Sequence, residues 1–192
     1  MPWEKKFKED EVLDSAMKAF WKNGYNGTSM KQLIHCTGLN PGSIYAAFGD
    51  KKALFYRAMD FYTDLIREKH CELEKNKSPR EFIIAVFDEM ISSIQAKRKH
   101  DGCFMVNTAL DIAPQDKKIQ QFVSQWFEEV EGFFRQHIVE AQKIGEISSN
   151  VDPEKAARHI MSLMCGAQVL ARVTPEHPSI GDLKEQIENI LK

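Results

Sequence analysis

The residues with the most specific chemistry in this chain lie together in the run Asn40-Pro41-Gly42-Ser43-Ile44-Tyr45-Ala46. Proline at the first position of a helix loses nothing by lacking an N–H, so a short helix is expected to start at Asn40-Pro41. The first turn of a helix carries unpaired backbone N–H groups and the positive end of the dipole, and both favour a phosphate. Gly42 removes a side chain where a nucleic-acid backbone would approach, and Asn40 and Ser43 are short hydrogen-bonding groups suited to base edges or phosphate oxygens. Tyr45 offers a phenolic hydroxyl on a stiff arm, and Ala46 an apolar contact of the kind a thymine methyl accepts. Thr28, Lys51 and Lys52 flank the run as candidate anchors to the phosphate backbone. The chemistry expected is binding to double-stranded DNA. Ser, Asn and Gly are also ordinary capping residues, and Tyr45 suits the rim of a core, so turn chemistry alone leaves both readings open.

A second concentration of chemistry lies in the middle of the chain. Phe82, Phe87, Phe104, Phe122, Trp126, Phe127, Phe133 and Phe134 combine with Met90, Met105, Met161 and Met164 into a dense, adaptable apolar set. Most of these residues are expected to fill a core, and a few to line a pocket for a small organic ligand. The candidate lining residues are Phe87, Met90, Cys103, Phe104, Asn107, Trp126 and Gln168, with His137 as a further polar group. Cys103 follows Gly102 near an expected helix start, where the dipole favours a thiolate, and Lys97, Arg98 and Lys99 precede it closely. The remaining cysteines, Cys36, Cys71 and Cys165, form no C-x-x-C pair with it, so most are expected to be buried small hydrophobes in a reducing compartment. No cofactor and no metal are expected.

The elements that must position these groups are helical. Val12, Leu13, Ala16, Met17 and Phe20 recur at i, i+3, i+4 spacing and predict an amphipathic helix over about residues 8–23, ended by Asn23-Gly24. A short helix from Ser29 to Cys36, capped by Thr28, and a second from Asn40-Pro41 to about Ala47 are joined by the tight turn Thr37-Gly38-Leu39, the sequence form of a helix-turn-helix. Leu33, Ile34, Leu39, Ile44 and Phe48 are spaced to fill the wedge between them. Asp50 stands at the cap of a long helix reaching about Leu73, Ser78-Pro79-Arg80-Glu81 is a capping box, and Asp152-Pro153-Glu154 opens another helix that runs to about Val173. A last helix is expected from Ser179 to Leu191. No segment alternates like a strand, so the fold class is all-α, with about nine helices. A three-helix unit over residues 1–50 precedes a larger helical body over residues 51–192. Ile160, Leu163, Ala167 and Leu170 on one late helix, with Leu183 and Ile187 on the next, form apolar stripes expected to make a homodimer interface.

With 192 residues, 43% hydrophobic and 28% charged, the chain has enough apolar residues for a core and too many for a disordered segment. Its longest apolar run, Phe82 to Phe87, is far below the roughly 18 residues a membrane span needs. Met1-Pro2-Trp3-Glu4 opens a charged stretch, so neither an export signal nor a membrane anchor is expected, and the location expected is cytoplasmic. The net charge of −2 hides an asymmetry: residues 1–52 carry eight lysines against six acids, a balance of +2, which leaves −4 for the rest. The mild positive bias falls on the part expected to meet an anion.

The stretch Thr28-Ser29-Met30-Lys31-Gln32-Leu33, followed by Thr37-Gly38-Leu39-Asn40-Pro41-Gly42-Ser43-Ile44-Tyr45-Ala46-Ala47-Phe48-Gly49-Asp50-Lys51-Lys52-Ala53-Leu54-Phe55, closely resembles the N-terminal domain of the TetR family of transcriptional regulators. The resemblance is specific over about residues 8–60. It implies a homodimer whose paired heads bind a palindromic operator and whose body binds a small inducer, most simply a repressor released by that ligand or by thiol modification. It also places Thr28, Ser43, Tyr45 and Lys51 on positions that usually contact DNA. Two departures stand out: Pro41 replaces a frequent Lys or Arg, and Ala46-Ala47 replace bulkier residues. Readout is therefore expected to lean on Ser43, Asn40 and DNA shape. Gly102-Cys103 resembles a subgroup of the family in which some members sense electrophiles or oxidants through the thiol. Two other readings compete: a helical ligand-binding protein without DNA binding, and a metal phosphohydrolase using His70, His100-Asp101 and Asp152, residues whose spacing matches no metal-binding motif.

Overall fold

Helix α1 (Glu9–Gly27) buries Val12, Leu13, Ala16, Met17 and Phe20, the face its apolar spacing predicts. The computed structural model describes residues 7–96 and 101–192, and it continues from there with helices throughout. The expected end at Gly24 is a break rather than a stop. Gly24 adopts φ 73° and ψ 171°, outside helical space, and one more turn follows to Gly27. A side chain at this φ would be strained, which is why glycine stands there.

Helices α2 (Met30–Thr37) and α3 (Pro41–Phe48) have eight residues each, too short to hold their shape unaided. Local chemistry holds them. Ser29 caps α2 in a full capping box with Gln32, and Gly38 ends it in the left-handed conformation at φ 69°. Asn40 caps α3 through Ser43 N at 2.8 Å, with Pro41 in the first turn. Leu33 and Ile44 are fully buried and Phe48 nearly so, with Ile34 and Leu39 packed against them, as the wedge pattern predicts. Thr28 is not the cap expected of it: the cap of α2 is Ser29, one residue later.

Asp50 caps α4 (Lys51–Glu74), which lays Leu54, Phe55, Ala58 and Met59 against α1 and so belongs to both ends of the molecule. The body adds α5 (Pro79–Gln95), begun by the Ser78 and Glu81 capping box, α6 (Phe104–Asp111), a 3-10 turn at Ala113–Gln115, α7 (Lys117–Lys143) and α8 (Pro153–Val173). The single terminal helix expected is two, α9 (Pro178–Gly181) and α10 (Leu183–Ile190), which makes ten among the described residues. None of these is long and apolar enough to cross a membrane. One apolar cluster runs from α1 through to α10, so head and body share a core.

The stripes expected at a dimer interface are largely spent inside that core. Ile160, Ala167, Leu183 and Ile187 are at most 5% exposed because α8 and α10 pack against each other and against α5 and α7. Leu163 and Leu170 are half-buried. The outward face of α8 is a different line, Ser162, Gly166, Val169 and Val173, with Val173 81% exposed.

Candidate nucleic-acid interface and ligand pocket

Helix α3 divides cleanly between inside and outside. Ile44 and Phe48 face the core, while Pro41, Gly42, Tyr45 and Ala46 are open to solvent, and Ser43 is half-buried. Tyr45 is 52% exposed. Asn40 is exposed too, but its side-chain oxygen already accepts from Ser43 N, so its amide nitrogen is the group left for a partner. A side chain at Gly42 would meet nothing closer than 3.4 Å, the Asn40 side-chain oxygen, so the fold itself does not require glycine there.

The flanking anchors are placed unequally. Thr28 is fully buried, and its hydroxyl donates to Gly24 O at 2.7 Å, tying α2 to the broken end of α1. Its side chain is therefore withdrawn from any nucleic acid, against the sequence expectation. Lys51 lies over the Tyr25 ring at 4.3 Å, half-buried, and this partial burial lowers its pKa below the usual lysine range. Lys52 forms an ion pair with Asp116, the cap of α7. Lys31 on α2 is an exposed cation near α3 that the candidate set omitted.

The body holds a cavity of about 170 Å³. Four of the seven expected lining residues, Met90, Cys103, Trp126 and Gln168, line it. Phe87 and Phe104 do not: both are packed into the shared core, Phe87 on Phe134 and Phe104 on Trp21, Phe55 and Tyr62. Asn107 is also off the wall, because its amide donates to Asp101 O at 2.7 Å and shapes the turn before α6. His137 is buried elsewhere, bonded to Phe133 O and Glu74. The sequence reading missed Trp21, Tyr62, His70 and Cys165, which come from three helices, α1, α4 and α8, and share no common spacing signal.

Polar groups on the wall are mostly paired. Lys69 and Glu89 neutralise one another at 2.9 Å. Burial, helped by Lys69, lowers the His70 pKa, so the imidazole stays neutral on its aromatic neighbour Phe133. Cys103 Sγ lies 3.4 Å from the Tyr62 hydroxyl, whose pKa burial raises well above the ordinary range. Burial pushes the Cys165 thiol up to about 11. His70 and Asp152 are not brought together: Asp152 caps α8 through Glu154 N and Lys155 N. Lys97, Arg98, Lys99 and His100 lie outside the described residues.

Comparison with known proteins places this geometry in a family. Residues 79–183 match the family model described as "Tetracyclin repressor-like, C-terminal domain", and residues 12–58 match "Bacterial regulatory proteins, tetR family". The transcriptional repressor ComR of Escherichia coli (strain K12) is 30% identical over 88% of this chain and 81% of its own length. The TetR family regulator CifR, solved as a cysteine mutant with a 26-base-pair double-strand operator DNA, is 27% identical with a TM-score of 0.81, covering 97% of this chain and 96% of that one. The reduced form of NemR from E. coli shares the fold at a TM-score of 0.86 and 15% identity, covering 95% of this chain and 96% of that one. With two family models matched in order along the chain and the outer face of α3 exposed, the chain belongs to the TetR family of DNA-binding transcriptional regulators.

Proposed function

We propose that this protein is a homodimeric repressor that binds a palindromic operator through two copies of α3 and lets go when a small organic ligand fills the body cavity. One observation carries the DNA reading: α3 buries its inner face completely yet holds an aromatic, Tyr45, out in solvent. In this reading residues 1–50 form the reading unit and residues 51–192 the body. The first turn of α3 enters the major groove, Ser43 and the Asn40 amide reach base edges or phosphates, and Ala46 touches a base methyl. Tyr45, Lys51 and Lys31 bind phosphate, and Thr28 supports α2 from inside. About three or four phosphate contacts per copy give a slope of log K against log salt of roughly −5 to −7 for the dimer. A DNA target also accounts for a cytoplasmic location. Fluorescence anisotropy with promoter DNA from beside the protein's own gene tests this. Salt-dependent binding that Tyr45→Ala weakens at least tenfold supports the reading, and affinity no better than for an unrelated duplex overturns it in favour of a ligand-binding protein without DNA binding.

The second copy is assigned to the outward face of α8. Ser162 and Gly166 allow two helices to approach, and Val169 and Val173 are apolar residues with no use in a lone chain. For the cavity, the wall chemistry favours an uncharged aromatic compound of about one ring. Its size is close to that of an engineered cavity of about 150 Å³ known to bind benzene. Trp21, Tyr62, Trp126 and Met90 offer aromatic and thioether contacts, and the only full charges on the wall among the described residues, Lys69 and Glu89, are already paired. Release requires the ligand to prefer the off state by about 5.5 kcal/mol for a complete switch. Titration with p-cresol, benzoate and benzylammonium, followed by tryptophan fluorescence, checks the class: p-cresol binds and the two ions do not. Tighter binding by either ion discards it.

Cys103 supports a second release route by thiol modification. Burial keeps the Tyr62 hydroxyl protonated within hydrogen-bond reach of Cys103 Sγ, whereas burial keeps the Cys165 thiol on the same wall protonated and less reactive. Iodoacetamide is expected to label Cys103 well before Cys165 and to weaken operator binding. Equal slow labelling of the two ends that route.

A further inference from the structure

The segment that carries α2 and α3 leaves α1 at Gly24–Asn26 and enters α4 at Lys51–Lys52. Both places are held by a carboxylate from the body. Gly24 leaves helical space, so the N–H of Tyr25 lacks the partner that a continuous helix would supply, and it donates to Asp111 Oδ2 at 2.9 Å. Asn26 Nδ2 reaches the other Asp111 oxygen at 3.4 Å. The fit is close: a Cβ on Gly24 would stand 2.7 Å from Asp111 Oδ2, so the glycine admits the carboxylate as well as the backbone turn. Asp111 is the last residue of α6. Across the 3-10 turn, Asp116 caps α7 and pairs with Lys52, the second residue of α4. The two held points are themselves joined, since Lys51 covers the Tyr25 ring and Tyr25 packs edge-on against Phe55. A third tie joins α1 to the cavity end of α6, where Trp21 Nε1 donates to Gly102 O at 3.0 Å.

We propose that Asp111 and Asp116 are positioning residues for operator binding: together they fix the direction in which each copy presents α3, and so the half-site spacing the dimer accepts. This rests on the dimeric operator reading above. A helix-turn-helix dimer meets half-sites about 34–36 Å apart, centre to centre. One base pair more or less shifts the second half-site by about 3.4 Å and turns it around the axis, which a rigid head cannot follow. A head freed at both ends follows it at the cost of entropy, binding every spacing more weakly but with less discrimination.

The experiment selects duplexes from a random pool with the wild-type protein, then measures affinity for the selected site and for the same site with one base pair inserted or removed between its halves. The full-length variants are Asp111→Ala, Asp111→Asn, Asp116→Asn and the Asp111→Ala/Asp116→Asn double. Asparagine at 116 keeps the cap of α7 while losing the charge for Lys52, and asparagine at 111 keeps an oxygen for Tyr25 N, so the two single asparagine variants preserve the local fold. The wild type is expected to lose at least tenfold on either change of spacing, and Asp111→Asn to match it. The double variant is expected to lose less than threefold, and Asp116→Asn to fall between. A purely structural role lowers affinity for all three duplexes by one common factor and leaves their ratios unchanged. Unchanged ratios in both the double variant and Asp116→Asn overturn the proposal. A wild type that selects no duplex overturns the operator reading itself, and this proposal with it.

Discussion

Helices α2 and α3 have eight residues each and are defined at their ends by side-chain caps and positive-φ glycines, whereas α7 and α8 have 27 and 21 residues and are held along their length by apolar faces. The head thus spends little surface on its own stability. Three fully or nearly buried residues, Leu33, Ile44 and Phe48, anchor the two short helices, and the outer face of α3 is left for a partner. The body spends almost everything on packing. Its cavity is a place where the packing is incomplete, lined by side chains from several helices. The difference teaches where change is tolerated. Outer head residues can vary without unfolding the chain, whereas body residues are fixed by volume.

Four variants break or sharpen that contrast, taken in decreasing order of effect. Phe55→Ala strikes the shared ground, since Phe55 is 1% exposed and packs on Phe20, Tyr25 and Phe104. It is expected to cost about 3–5 kcal/mol of stability, read as a lower midpoint in urea unfolding. A loss below 1 kcal/mol would mean that head and body do not share a core. Val169→Glu with Val173→Glu places charges on an exposed face, so folding by circular dichroism stays intact while light scattering reports a monomer. Operator affinity then falls about a hundredfold, roughly 2.7 kcal/mol. A dimer that survives both charges moves the interface elsewhere.

Gly42→Ala separates stability from function within the head. Nothing in the chain crowds a side chain there, so the helix gains up to about 1 kcal/mol. Operator affinity falls at the same time if the DNA backbone needs that space, and a variant that binds as well as wild type removes Gly42 from the interface. The smallest effect is a pH dependence in the body. The folded-state pKa of His70 is lowered by burial from 6.5, so the unfolded chain takes up a proton that the folded chain refuses. Stability therefore falls as pH drops below about 6.5 toward the lower folded value. In His70→Phe, which keeps a ring against Phe133 and Phe82, the melting temperature is expected to fall less between pH 7 and pH 5. An identical fall in both proteins would assign the acid sensitivity to other groups.

The reading head was largely legible because its rules are local. Gly38, Asn40 with Pro41, and Asp50 each lie within four residues of the group they satisfy, so sequence neighbours report them. Thr28 is the instructive failure. Whether Thr28 or Ser29 caps α2 depends on how α1 breaks at Gly24, and that break is shaped by Asp111, 87 residues further on. The cavity was half legible for a related reason. Apolar composition identified the region, but Phe87 and Trp126 have the same chemistry, and only the packing of α5 on α7 buries one in the core and leaves the other on the wall.

By itself the sequence determined the all-helical class, the cap of α3 and the turn before it, the inner face of α3 and the family to which those residues point, because periodicity and capping act over a single helical turn. Only the tertiary structure decided which apolar stripe closes the core and which looks outward on α8, which wall residues meet around the cavity, and that Asp111 and Asp116 hold the two ends of the reading segment. Those outcomes depend on distances between residues tens of positions apart, which are set when side-chain volumes from several helices are packed at once.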